Sequence, residues 1–181
     1  MTEHNCAWIT TIRPEDATGG LEAIYRRVKL DEDVANILRS QSLDPRALDL
    51  HVQLYLHLMF GKSSLSRRER EMIAVVVSRA NGCRYCVAHH TAALRAVSSE
   101  DEDEPSTARE HAMVGYARTL TWSPGSIGEA DLLPLRKAGL DDEAILHVAQ
   151  IVAYFNFVNR LAQGLGVELE ADHERFVRSR T

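Results

Sequence analysis

The sequence has 181 residues, of which 45% are hydrophobic and 26% charged, a balance typical of one globular domain and not of a disordered chain. Its net charge of −5 argues against a nucleic-acid-binding protein, since such proteins usually carry a basic stripe. The first residues lack the apolar segment of a signal peptide, and no apolar run could span a bilayer. We therefore expect a cytoplasmic protein that binds neither nucleic acid nor membranes.

Apolar residues recur at helical spacing along the chain, and long alternating β-branched runs are absent. This pattern predicts an all-α fold, a helical bundle formed by a single domain over residues 1–181. The first predicted helix covers Pro14 to Val28, although Gly19 and Gly20 interrupt it. The second covers Pro45 to Phe60, where a proline suits the first turn.

The motif core, residues 66–97, contains two predicted helices joined by a very short connection. The first begins at the capping box Ser66-Arg67-Arg68-Glu69 and ends at Asn81-Gly82, because glycine readily adopts the left-handed conformation that stops a helix. The second runs from about Cys83 to Val97. The short connection favours an antiparallel helical hairpin.

The remainder of the chain is predicted to be an acidic loop followed by further helices. The loop covers residues 98–106 and contains the run Glu100-Asp101-Glu102-Asp103-Glu104. The later predicted elements are a helix from the capping box at Thr107 to about Thr121, a turn at 123–126, a helix over 129–138, and a final helix over 142–164 capped by Asp141.

Two of the three cysteines, Cys83 and Cys86, form a C-x-x-C pair. In a reducing compartment such a pair is typical of a redox or metal-binding site. The helix start favours a thiolate there, lowering its pKa from about 8.5 toward neutrality. Residues three apart share a helix face, so a disulfide needs little backbone movement. The pair is therefore predicted to be a reversible dithiol.

Two histidines follow the pair on the same helix. His90 lies one turn beyond Cys86 on the same face, where it can take a proton from a thiol, and His89 flanks that face. A zinc site of Cys83, Cys86, His89 and His90 is an alternative, as are two inert buried thiols. The side chains of adjacent histidines on one helix point about 100° apart, which argues against both of them binding the same tetrahedral zinc ion.

The stretch from Glu71 to His90 resembles the core motif of the alkylhydroperoxidase D-like proteins of the carboxymuconolactone decarboxylase superfamily. That motif is a Glu, eleven residues, Cys, two residues, Cys, three residues and His, and every spacing matches here. The segments Ser66–Glu71 and Phe155–Ala162 resemble the subgroup called peroxidase-related, and weaker similarity extends over most of residues 43–167.

The resemblance implies an all-α homo-oligomer that reduces hydroperoxides with electrons from a dithiol, either a protein or a small molecule. It implies that Cys86 attacks the peroxide, that Cys83 resolves the resulting sulfenic acid to a disulfide, and that Glu71 and His90 form a proton relay. No metal or organic cofactor is expected.

One position departs from the family pattern. Better-studied members carry a second histidine immediately before the second cysteine, where this chain has Tyr85. With a pKa near 10, tyrosine cannot replace histidine as a base at neutral pH, although it can donate a hydrogen bond. Tyr85 and His89 are therefore predicted to be auxiliary residues.

The departure at this position favours one alternative function, a general disulfide oxidoreductase with weak peroxidase activity. A second alternative, of a different class, is a redox-responsive oligomeric binding protein. A decarboxylase or lactone-handling role is disfavoured because the C-x-x-C motif marks the peroxidase-like branch of the superfamily.

Overall fold

The computed structural model describes residues 5–29, 33–98 and 104–171, and these ranges contain helices, turns and no β-strand. The all-α prediction is confirmed. The α-helices are α1 (Gly19–Val28), α2 (Asn36–Arg39), α3 (Pro45–Phe60), α4 (Arg67–Ala80), α5 (Arg84–Ala96), α6 (Ala108–Trp122), α7 (Leu133–Lys137) and α8 (Asp142–Gly164). No helix in the described ranges is both long and apolar enough to cross a membrane.

Helix α3 has its predicted bounds, whereas two other predicted helices are interrupted. The helix predicted from Pro14 is wrong at its beginning: a short 3₁₀ turn ends at Asp16, and the extended backbone of Thr18 precedes α1. The helix predicted over 129–138 is a 3₁₀ turn followed by α7. Pro134 lies in the first turn of α7, where its missing amide hydrogen costs no helical hydrogen bond. Helix α2 was not predicted, because four residues are too few to show periodicity.

The chain divides into two compact units, one formed by Met1–Leu54 with Arg160–Thr181 and the other by Tyr55–Asn159. The single domain predicted over residues 1–181 stays a prediction. In the first unit, the apolar face of α1 forms a core with the first turns of α3. The buried side chains of this core include Leu21, Ile24, Tyr25, Val34, Leu48 and Val52.

In the second unit, α4 packs against both α5 and α6. Every residue of α4 from Glu69 to Ser78 is buried, which is the burial expected of a helix with neighbours on several sides. The turn between α4 and α5 contains Gly82, whose φ of 65° is the left-handed conformation predicted for it. The predicted helical hairpin is therefore present, and it places the start of α5 beside the end of α4.

Both predicted capping boxes are present, at the N-termini of α4 and α6. In each box the glutamate also accepts a hydrogen bond from an arginine of the other helix: Arg109 Nε donates to Glu69 at 2.7 Å, and Arg68 Nε donates to Glu110 at 2.9 Å. This reciprocal pairing fixes the two helix starts side by side. Much of the predicted acidic loop, residues 99–103, lies outside the described residues.

Candidate active site

The turn after α4 places Cys83 and Cys86 at the start of α5, as predicted. Cys83 is the N-cap residue with an extended backbone, and Cys86 lies in the first turn. Both are free thiols, and their exposed fractions are only 1% and 2%. Because water hardly reaches either sulfur, the protonation of the pair depends on the protein groups around it.

The two cysteines affect each other's protonation in opposite directions. A hydrogen bond from Cys86, together with the backbone amides of Cys86 and Tyr85, lowers the pKa of Cys83 to about 7, against the effect of burial. The same hydrogen bond raises the pKa of Cys86, as do burial and the charge on Cys83, while the Asn159 side chain acts in the other direction. In the reduced pair the first negative charge therefore lies on Cys83, with Cys86 as its hydrogen-bond donor.

Glu71 is completely buried and lies beside the ring of His90. Its Oε2 accepts a hydrogen bond from His90 Nδ1 at 2.7 Å, and its Oε1 accepts one from Arg67 Nε at 2.8 Å. Burial raises the pKa of Glu71, but the charges and hydrogen bonds of His90 and Arg67 outweigh burial, so the net pKa is lowered. Glu71 is therefore a carboxylate at neutral pH.

The contact with Glu71 determines the tautomer of His90. A carboxylate can only accept hydrogen bonds, so Nδ1 carries the hydrogen and Nε2 is the nitrogen that can gain or lose a proton. The imidazole ring also makes a T-shaped contact with the ring of Phe155, with ring centroids 4.6 Å apart and planes at 80°. The carboxylate and the phenyl ring together hold His90 in one orientation.

The two predicted auxiliary residues lie against each other. The rings of Tyr85 and His89 have centroids 4.4 Å apart, and both side chains are buried. Their roles in chemistry stay predictions.

Sequence reasoning missed several polar residues around the site. The sequence could have indicated the contact of Arg67 with Glu71, because residues four positions apart lie on the same face of a helix. Asn81, Ser78 and Asn159 lie in segments that carry the family resemblance, but the sequence did not indicate the contacts of Asn159 with the other two, because these join residues far apart in the chain. Asn81 Nδ2 donates to Asn159 Oδ1 at 3.1 Å, and Asn159 Nδ2 donates to Ser78 Oγ at 3.2 Å. The Asn159 side chain also hydrogen-bonds Cys86.

The geometry offers no support for the zinc alternative. Within residues 5–29, 33–98 and 104–171, no group of three or more His, Cys, Asp or Glu side chains is arranged to hold a metal ion. The cysteine pair, the Glu71–His90 pair and Asn159 all belong to the second unit.

Residues 45–121 match the family model of the carboxymuconolactone decarboxylase family. This range includes the cysteine pair, Glu71 and His90. No curated protein sequence matches the chain significantly.

Solved structures of the same fold cover nearly the whole chain. An uncharacterized peroxidase-related protein from Silicibacter sp. TM1040 is 29% identical over 96% of each chain, with a TM-score of 0.80. A second, the alkylhydroperoxidase AhpD core from Ralstonia eutropha JMP134, also described as peroxidase-related, is 28% identical over 98% of each chain, with a TM-score of 0.80. The debrominase Bmp8 is 19% identical over 96% of this chain and 97% of its own, with a TM-score of 0.76, and shows the fold alone.

Proposed function

We propose that the chain reduces hydroperoxides with the Cys83–Cys86 pair as its redox centre, because residues 45–121 match the model of the carboxymuconolactone decarboxylase family and the fold is that of an alkylhydroperoxidase D-like protein. The observation that carries the proposal is the pair itself: two buried free thiols, hydrogen-bonded to each other, one with a pKa of about 7. A thiolate is the nucleophilic form of cysteine, so such a pair reacts at neutral pH.

In the first step, the proton shared by the two sulfurs moves from Cys86 to Cys83, and the Cys86 thiolate attacks the peroxide. An S–O bond forms and the O–O bond breaks, so Cys86 becomes a sulfenic acid and the peroxide leaves as an alkoxide. The alkoxide takes up one proton and departs as an alcohol. The sulfur loses two electrons and the peroxide gains them.

In the second step, the Cys83 sulfur attacks the sulfenic sulfur of Cys86. The S–S bond forms, the S–O bond breaks, and the hydroxyl leaves as water with the proton of the Cys83 thiol. A dithiol donor, either a protein or a small molecule, then reduces the disulfide by exchange and becomes a disulfide itself. These steps use sulfur chemistry only and involve no metal or organic cofactor.

In this proposal the Glu71–His90 pair is the proton relay. The carboxylate holds Nδ1–H, so His90 exchanges protons through Nε2 and, when protonated there, supplies the proton that the leaving alkoxide needs. Arg67 contributes indirectly, because its hydrogen bonds keep Glu71 ionised. The cytoplasmic location and the homo-oligomeric state also remain part of the proposal.

Peroxide consumption coupled to dithiothreitol oxidation tests the proposal directly. We expect C86S to lose the activity, and C83S to consume one equivalent of peroxide and accumulate a sulfenic acid that dimedone labels at position 86. C6S is the matched control, since Cys6 is also buried but hydrogen-bonds Thr11 in the other unit. Full peroxide consumption by C86S would contradict the proposal, and dimedone labelling of Cys83 in that variant would reverse the two roles.

A general disulfide oxidoreductase is the second candidate, favoured by Tyr85 at the position where a second histidine would strengthen the relay. Its buried ring packs on His89 and supplies no base at neutral pH. Turnover of an alkyl hydroperoxide should be compared with turnover of a small disulfide under the same conditions. Faster reduction of the disulfide would favour this second candidate.

A further inference from the structure

Asn159 is a completely buried side chain of α8 that contacts a reacting sulfur. Its amide carries one hydrogen-bond acceptor and one donor group of similar size. Which of the two faces Cys86 decides whether Asn159 stabilises or destabilises negative charge there. The surrounding hydrogen bonds determine this orientation.

The orientation follows from a backbone carbonyl, which can only accept. Asn156 Nδ2 donates to the carbonyl oxygen of Val152 at 3.0 Å, so Asn156 Oδ1 faces the other way and accepts from Asn81 Nδ2 at 3.1 Å. The same Asn81 Nδ2 donates to Asn159 Oδ1 at 3.1 Å. The oxygen of Asn159 is therefore committed to Asn81, and its NH₂ group must face the opposite side.

The NH₂ group of Asn159 has two hydrogens and two partners. Asn159 Nδ2 donates one hydrogen bond to Ser78 Oγ at 3.2 Å. The Asn159 side chain also hydrogen-bonds Cys86. Ser78 is completely buried, like Asn159 itself. Ser78 of α4 and Asn81 at the C-cap of α4 thus hold one amide of α8 with its donor side toward the second cysteine.

The two sulfurs differ in how the protein can stabilise a charge on them. Backbone amides at the start of α5 act on Cys83. Cys86 is 2% exposed, so water cannot solvate a charge on it, and a donor besides the Cys83 thiol would stabilise that charge further. Asn159 is such a donor, and its hydrogen bond lowers the pKa of Cys86, in opposition to burial and to Cys83.

We propose that Asn159 donates the hydrogen bond that stabilises negative charge on Cys86 as that sulfur attacks the peroxide, with Asn81 and Ser78 fixing its amide in the donating orientation. This inference rests on the proposed attack by Cys86. It makes Asn159 the group that directs the charge of the dithiol from its resting position on Cys83 to the second sulfur.

The test measures the pKa of the Cys86 thiol in the C83S background, where Cys83 no longer affects it. The rate of alkylation by iodoacetamide at position 86 is followed against pH by mass spectrometry. Replacing Asn159 by leucine, N159L, removes the donor while keeping the approximate volume. We expect the pKa of Cys86 to rise by about one unit, because a hydrogen bond to a charged group is lost. At any pH below that pKa, the fraction of Cys86 present as thiolate should then be about tenfold lower.

N36A in the same background is the matched control, since Asn36 is also a buried asparagine but hydrogen-bonds Glu168 and Glu170. It should leave the Cys86 pKa unchanged. Circular dichroism checks that each variant folds. If N159L does not fold, N159D replaces it: the carboxylate still accepts from Asn81 but places negative charge beside the sulfur, so the pKa should rise further.

An unchanged Cys86 pKa in a folded Asn159 variant would overturn the inference, as would an equal rise in N36A. The result is separate from the fate of the proposed function, because alkylation requires no peroxidase activity. If the pKa rises while the wild-type chain reduces no peroxide, the hydrogen bond to the thiolate is established and the peroxidase proposal fails. If the wild type is active and the pKa does not move, only the inference about Asn159 fails.

Discussion

Glu71 is an ionised carboxylate without exposure to water, and side chains on two helices balance its charge. Arg67 lies one turn before it on α4, and His90 approaches from α5. Removing one partner of a buried charged group leaves the others uncompensated, which is strongly destabilising. Glu71 is therefore a residue of both the fold and the proposed relay.

We expect E71Q to lower peroxidase turnover by about 100-fold, because a neutral amide no longer fixes the orientation and tautomer of His90. Steady-state peroxide consumption measures the effect, and dimedone labelling shows whether sulfenic acid still forms. R67A is the comparison: its side chain is 28% exposed and His90 still contacts Glu71, so a smaller loss is expected. A larger loss in R67A than in E71Q would show that Glu71 does not act through His90.

The pKa of about 7 at Cys83 predicts how its reactivity depends on pH. In the wild-type protein, alkylation at Cys83 should rise through pH 7 and level off above it, because the thiolate is the reactive form. In C86A the hydrogen bond that lowers this pKa is gone, and the transition should move toward the ordinary value near pH 8.5. Coincident pH profiles in the two proteins, followed by mass spectrometry, would contradict the proposed sharing of a proton.

At the scale of secondary structure, the turn between α4 and α5 controls where the cysteine pair lies. Gly82 has a φ of 65°, and a Cβ at this position would meet nothing within 4 Å. The requirement for glycine is therefore conformational and not steric. A non-glycine residue in this region costs about 1 to 2 kcal/mol.

We expect G82A to lower the free energy of unfolding by about 1 kcal/mol and to disturb the thiol pKa values, because it strains the turn that begins α5. G125A is the matched control: Gly125 also has open space around its Cβ position but does not have a positive φ. Urea unfolding should show a loss in the first variant and little change in the second. Equal stability of the two variants would mean that the turn relaxes without cost.

At the scale of the whole molecule, a buried histidine makes stability depend on pH. His51 lies in the first unit with its Nδ1 2.9 Å from Gln41 Oε1, and burial lowers its pKa to about 4. In the unfolded chain the ordinary pKa is about 6.5. As the pH falls from 6.5 toward 4, the unfolded state binds a proton that the folded state does not, so stability is lost across that window.

Between pH 7 and pH 5 we expect His51 to account for about 2 kcal/mol of lost stability. H51Q should lose less over the same interval, because glutamine does not titrate. Urea unfolding at both pH values gives, for each protein, the change in the free energy of unfolding between pH 7 and pH 5. Comparing these two changes removes the pH-independent effect of the substitution itself. The same pH dependence in both proteins would show that His51 is already protonated, or already exposed, in the folded state at pH 5.

Features set by residues close together in the chain could be read from the sequence. The capping boxes, the glycine turn and the placement of both cysteines at a helix start depend on hydrogen bonds and backbone conformations within a few positions. The resemblance to the alkylhydroperoxidase D-like proteins, and not local pattern, indicated Glu71 and His90 as a pair. Gly19 and Gly20 signalled the interruption before α1, where Gly19 has a positive φ, but the interruption before α7 was missed because local backbone geometry around Pro134 outweighed the general helical pattern.

Only the tertiary structure decided which side chains from different helices meet. The packing of α4, α5 and α8 brings Glu71 to His90, places Phe155 against that ring, and turns the donor side of Asn159 toward Cys86. Periodicity specifies the face of a helix on which a residue lies, but not the register of that face against its neighbours. The sequence by itself therefore determined that Cys83 and Cys86 lie together at a helix start, and the packing of helices determined which side chains surround them.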